Sequence, residues 1–325
     1  MKTVQRRAWA RRALGLALLV LCAGAAWVAW RYQQDLALAT ARTAEGSAVV
    51  RTPCGPIEYQ ARGAGRPLLV VHGSGGGHDQ GMDFALPLVP GGVRVIAVSR
   101  FGYLRTPRPP VATPEAQADA HRCLLDALGL RQAAVQGVSA GAPSALQAVI
   151  RHPDRFTALM LVVPIGHRPD QVPASAPPVS DGQDRVLLQL LGSDFVYWST
   201  RQLAWPLLLR HLLATPPEQF RAADAAEQAR VRAMADHILP VSLRRQGLLD
   251  DTRLGKRLSP QDLSAVRVPT LLVSARDDGF GTYATARYMA SQIPGARFVG
   301  FEQGGHLLVG HHQALRDLMA EWLRL

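Results

Sequence analysis

Six short, almost uninterrupted apolar runs recur along the chain, at residues 67–72, 93–98, 133–136, 158–163, 270–274 and 297–301. A strand with one wet face alternates apolar and polar residues. A run apolar at every position must be covered on both faces. Between these runs lie stretches with helical spacing, at 113–128 with Gly129 as a stop signal, 140–151, 283–292 and 313–325. Pro143 falls in the first turn of the second of these, where a missing N–H costs little. Strands alternating with helices predict an α/β fold, a mostly parallel sheet flanked by helices. Two shorter β-type segments, 49–52 and 57–61, precede it and are split by Pro53 and Gly55. The stretch from about 165 to 262 breaks the alternation. It opens Pro-rich, then carries amphipathic helices with Trp198, Trp205 and leucine clusters, and reads as a helical cap inserted before the last strands. A chain of 325 residues accommodates one such domain with an insertion, or two domains.

Chemistry-bearing residues fall where these strands end. Gly137-Val138-Ser139-Ala140-Gly141 follows the third run and opens a helix. A serine hydroxyl attacks only when a base removes its proton and a sharp turn exposes it, which makes Ser139 the candidate nucleophile. With 29 glycines in the chain the five-residue pattern alone is weak, so its context carries the argument. His72-Gly73-Ser74-Gly75-Gly76-Gly77 follows the first run. Backbone N–H groups of such a loop can face an oxyanion, with Ser74 the expected donor, Gly75 next, and the N–H of Ala140 completing the hole. Arg276-Asp277-Asp278 follows the fifth run, and only one of the two carboxylates can orient a given imidazole. Gly304-Gly305-His306 follows the last, and His306 is the candidate general base.

The remaining histidines have plainer readings. His72 braces its loop, and His311 and His312 lie on a solvated helix face. His78 and Asp79 are two ligand types without partners, too few for a metal, and no cofactor motif is present. Phe101, Tyr103, Trp198 and Trp205 could line an apolar acyl pocket under the cap, although core packing is the commoner use of each.

The N-terminus is organised differently. Residues 1–12 form a basic tail, and 13–30 carry no charge over 18 residues, enough to cross a bilayer, with Trp27 and Trp30 suited to its interface. The basic side stays cytoplasmic, which puts the rest outside the inner membrane. A cleaved signal is the rival, with Ala37-Leu38-Ala39 as the cleavage site. Residues 31–46 read as a polar, Ala-rich linker or stalk, and 47–325 as the folded domain. The net charge of +11 includes six cations, with no acid, among residues 1–31; the remaining +5 is spread thinly, against a nucleic-acid groove. Cys54 and Cys123 could pair in an exported protein, but two separate thiols are the expectation. Oligomeric state is not legible.

From about residue 47 to the end the chain resembles the α/β-hydrolase superfamily. The resemblance rests on His72-Gly73 with its glycines, Gly137-x-Ser139-x-Gly141, an acid after a buried strand and Gly305-His306, in the order Ser, Asp, His. Ser99-Arg100-Phe101-Gly102-Tyr103 and His152-Pro153-Asp154-Arg155-Phe156 are similar to further family segments, with Ser99 where relatives usually carry Asp and Ala275 where they carry Gly. The resemblance implies a triad of Ser139, Asp278 and His306 and favours Asp278 over Asp277. A serine at the elbow implies an acyl-serine route to a small-molecule carboxylic ester, thioester, lactone or amide. Amidase or iminopeptidase, acyltransferase and cofactor-free perhydrolase chemistry fit the same residues, and a non-catalytic binding protein of the same fold is the remaining alternative.

Overall fold

A computed structural model describes residues 2–169, 192–256 and 258–324. The Pro-rich opening of the cap, at 170–191, lies outside the described residues. Eight strands form one sheet: β1 (Ser47–Thr52), β2 (Gly55–Arg62), β3 (Arg66–Val71), β4 (Val93–Val98), β5 (Ala133–Val138), β6 (Phe156–Val162), β7 (Thr270–Ala275) and β8 (Arg297–Phe301). Their spatial order is β1-β2-β4-β3-β5-β6-β7-β8. β2 alone runs against the rest, pairing antiparallel with β1 and β4; β3 to β8 are parallel.

The apolar runs of β3 to β7 are covered on both sides, whereas β8, at the sheet edge, has no fully buried residue. Along β3 and β4, Leu68, Val70, Val95 and Ala97 enter one core, while Leu69, Val71, Ile96 and Val98 enter the other. Each such Leu, Ile or Val side chain contributes about 1.5–3 kcal/mol on burial. The first core is roofed by helix α1 (Lys2–Ala44), α2 (His78–Ala85) and the cap. The second is roofed by α3 (Pro114–Ala127) and α4 (Ala142–Arg151). The cap's described helices include α5 (Asp194–Leu203), α6 (Pro217–Ala222), α7 (Ala225–Asp236) and α8 (Arg245–Lys256). Beyond it, α9 (Thr282–Gln292) packs on the second core and α10 (His312–Trp322) on the first.

Two expectations need correction. Of linker or stalk, residues 31–44 are a stalk and no loose linker: α1 continues to Ala44 and docks on the domain. Ala39 is buried, Trp198 Nε1 donates to Asp35 at 2.9 Å, and Arg42 Nη2 donates to the Asp236 carbonyl at 2.6 Å. His78 Nε2 lies 2.9 Å from the Thr43 carbonyl. The Ala-rich composition that looked like a tether is also that of a strong helix former. Nor are the cysteines separate, since Cys54 and Cys123 form a disulfide. The β1–β2 turn lies against α3, which brings the two Cα atoms to 6.1 Å, a proximity set by tertiary packing across 69 residues.

Candidate active site

The candidate triad and oxyanion residues sit at the carboxyl edge of the sheet, where loops of a parallel sheet converge. Ser139 leaves β5 with φ +49°, a left-handed conformation that costs a non-glycine residue about 1–2 kcal/mol, and opens the 3₁₀ turn Ser139–Gly141. The flanking glycines permit this bend by close approach. A Cβ on Gly141 would lie 2.4 Å from the Val71 carbonyl oxygen, and one on Gly137 2.7 Å from the Ala145 Cβ. Pro143 and the helix dipole of α4 then lie behind the serine.

His306 follows β8 on a loop whose Gly305 has φ +62° and presses on Thr215 of the cap. Its Nδ1 lies 2.8 Å from Asp278 Oδ2. Asp277 faces elsewhere: its two oxygens accept the Gly305 N–H at 2.8 Å and the Gly304 N–H at 3.2 Å, bracing the loop that carries the imidazole. Asp278 also accepts the Phe280 N–H at 2.9 Å and the Thr282 hydroxyl. Burial would raise its carboxyl, but the His306 imidazole and these hydrogen bonds outweigh burial and hold it below the ordinary carboxylate range. Ser139 and His306 line one cavity of about 420 Å³, and among the described residues no hydrogen bond joins Ser139 Oγ to the imidazole.

Around the glycine loop, Gly73 N–H donates to Gln80 Oε1 at 2.9 Å and Gly75 N–H to the Tyr103 hydroxyl at 3.3 Å. Gly75, the second expected donor, is thus already engaged. Among the described residues the Ser74 N–H has no acceptor. The Ala140 N–H, in the first turn of its helix, has none within that helix. His72 is wholly buried, with Nε2 accepting the Arg100 N–H at 3.0 Å and Nδ1 facing the Gly73 carbonyl at 2.6 Å. Burial first, and the Arg100 charge next, push this imidazole well down, so it stays neutral and braces the loop.

The aromatic residues expected in the pocket serve other ends. Trp198 packs with Tyr32 and Phe195, and Trp205 with Phe220. Tyr103 is fully buried below the loop, and Phe101 lines a smaller neighbouring recess beside Ala140 and Pro143. The cavity walls are mainly aliphatic: Ile165, Leu213, Ile238, Val241, Leu248 and Leu307, with Phe84 and Phe280. Phe280 meets His306 edge-on with ring centroids 4.9 Å apart. His311, expected to be solvated, is only half-exposed and stacks on Phe301.

Two buried ion pairs tie the cap to this edge, and neither was foreseen. Asp251 of α8 accepts both Arg100 Nη groups, at 2.8 and 2.6 Å, together with the Tyr103 hydroxyl and the Ser74 hydroxyl at 2.9 Å. Arg244, wholly buried, donates to both oxygens of Asp79 and to the Gly76 carbonyl. His78 and Asp79 are therefore occupied by protein partners. Ser99 donates to the buried carboxylate of Glu58 on β2 at 2.9 Å, so an acid reaches this corner from another strand.

Comparison with known proteins agrees with this architecture. The alpha/beta hydrolase fold family matches residues 66–312. The uncharacterized hydrolase YcgS of Bacillus subtilis is 25% identical over 269 residues, covering 78% of this chain and 89% of that protein. An alpha/beta hydrolase fold protein from Nakamurella multipartita superposes with a TM-score of 0.64 at 29% identity, covering 86% of this chain and 99% of that one. An esterase from Exiguobacterium antarcticum shares the fold, with a TM-score of 0.62 at 19% identity over 86% of this chain and 99% of its own. On the strand order, the strained serine turn and the family match, the chain belongs to the α/β-hydrolase fold family.

Proposed function

We propose that the protein is a serine hydrolase that cleaves a carboxylic ester or related acyl bond through an acyl-serine intermediate. The observation that carries this is the Asp278–His306 contact opening on the same apolar cavity as Ser139. Ser139 Oγ attacks the acyl carbon as His306 Nε2 takes its proton, and the ionised Asp278 stabilises the imidazolium. The oxyanion turns to the N–H groups of Ser74 and Ala140, one such donor being worth about 3 kcal/mol in the transition state. Collapse returns the proton to the departing alcohol. Water then attacks the acyl-serine by the same route and releases the carboxylic acid.

The first charge-free segment of α1 supports a membrane anchor, with the basic tail cytoplasmic and the catalytic domain extracytoplasmic. The Cys54–Cys123 disulfide fits an oxidising compartment. The buried Ala39 and the docked Asp35 favour retention of the segment over cleavage after Ala39.

Labelling with an active-serine phosphonate and turnover of a panel of acyl esters test the reading. Wild type should label and turn over esters, and Ser139→Ala should fold normally, escape labelling and lose about 10⁶-fold in kcat. Retained turnover in Ser139→Ala would refute it.

A further inference from the structure

We infer that the exposed apolar face of the cap lies on the lipid bilayer beside α1, so that the cavity takes acyl substrates partitioned into that bilayer. The substrate half of this rests on the hydrolase reading above, and the docking half on the anchor reading.

Length and continuity carry the argument. The uncharged stretch at 13–30 has 18 residues, which as helix spans about 27 Å, close to the hydrocarbon thickness of a bilayer. Trp27 and Trp30 stand exposed at its far end, where indoles occupy the interface. The helix does not stop there. Two residues on, about 3 Å further along the axis, Tyr32 packs edge-on against Phe195 and Trp198 of α5, with centroids at 5.2 and 5.6 Å. The Trp198–Asp35 and Arg42–Asp236 hydrogen bonds fix α1 to the cap over the next three turns. A cap helix held at that height sits at headgroup depth, with no tether to lift it away.

What the cap exposes there suits lipid. Leu203 is 87% exposed, Leu207 58% and Phe195 47%, all on α5 or the turn that follows it. A soluble surface seldom gathers large apolar side chains next to a membrane helix without covering them. Leu212 and Phe280, also exposed, belong both to the surface and to the cavity lining. They give an acyl chain an apolar path from surface to Ser139. The bilayer is the occupant that α1 itself delivers to this face.

The test uses the full chain in phosphatidylcholine vesicles. Leu203→Cys and, as a control, Ser291→Cys are made in a Cys22→Ser background and labelled with an environment-sensitive fluorophore. Ser291 lies on α9, packed on the opposite face of the sheet from α1. Spin-labelled lipid should quench position 203 at least five-fold more strongly than 291; equal quenching overturns the docking. Shielding at 203 that grows with protein density, without lipid quenching, assigns the face to a second copy and also overturns it. Leu203→Asp combined with Leu207→Asp should cut turnover of a long-chain acylglycerol in the vesicles about ten-fold and leave 4-nitrophenyl acetate turnover unchanged. An equal fall on both substrates overturns the substrate half. If wild type turns over neither ester, the hydrolase reading fails, and quenching alone decides the docking.

Discussion

Asp251 on the cap grips Arg100 below the glycine loop through two hydrogen bonds, and one of its oxygens also receives Ser74 and Tyr103. Removing the acid would strand a buried guanidinium. Asp251→Ala should therefore lose about 3–5 kcal/mol in urea unfolding. Replacing both partners, as Arg100→Met with Asp251→Leu, should recover most of that loss, because neither charge is left unpaired. In the same measurement, a double variant as unstable as the single one would count against the pair.

Acid should weaken the protein before its carboxylates titrate. His121 is buried and its imidazole is pushed down to about 3, by burial first and by the Arg100 charge; His72 is lowered in the same direction. Both stay neutral when folded, whereas the unfolded chain binds protons below about 6.5. Stability is thus full above that pH and falls as pH drops toward the folded values, by about 1.4 kcal/mol per pH unit for each histidine. His121→Gln should remove one such slope. Urea unfolding from pH 7.5 to 4.5 checks it, and an unchanged slope would contradict the assignment.

The depressed Asp278 carboxyl gives a second pH signature. Its stabilisation is present above the ordinary carboxylate range and fades as pH falls through the lower folded value. Asp278→Asn should accordingly be less stable than wild type at pH 7, with the gap narrowing in acid. Equal gaps at pH 7 and pH 3, measured by chemical denaturation, would rule this out.

The Cys54–Cys123 bridge closes a loop of about seventy residues, for which the chain-entropy account gives about 4 kcal/mol. Reduction, or Cys54→Ser with Cys123→Ser, should lower the thermal midpoint by several degrees while leaving the fold intact. Identical melting with and without reductant would show that the bridge contributes nothing.

Gly141 and Gly129 separate crowding from backbone strain. Gly141 has an ordinary φ of −80° but no room for a methyl group, whereas Gly129 has φ +66° and open space. Gly141→Ala should cost about 3 kcal/mol or more and distort the serine turn. Gly129→Ala should cost about 1–2 kcal/mol with turnover unchanged. The reverse order in unfolding experiments would overturn the packing account.

What the sequence disclosed follows from range. Strands β3 to β8 were legible because each carries a mostly apolar run, and the loops after β3, β5 and β8 because glycine marks a sharp turn. The split of duties between Asp277 and Asp278 follows from which carboxylate faces the imidazole, which neighbouring identical residues cannot reveal. The Arg100–Asp251 contact spans 151 residues and the Arg244–Asp79 contact 165, so no local pattern announces them. The indoles followed their commoner use, packing, because size alone suits a pocket wall and a packing cluster equally well. Linker and stalk stayed open for residues 31–46 because alanine serves both a tether and a docked helix.

That docking changes what a shortened protein would be. A soluble fragment starting at Ser47 would leave the Trp198 indole without Asp35, His78 without the Thr43 carbonyl, and the groove that Ala39 fills open to water. Trimming the greasy segment to ease purification would therefore perturb the cap over the proposed site, and kinetics gathered on such a fragment would describe a loosened protein.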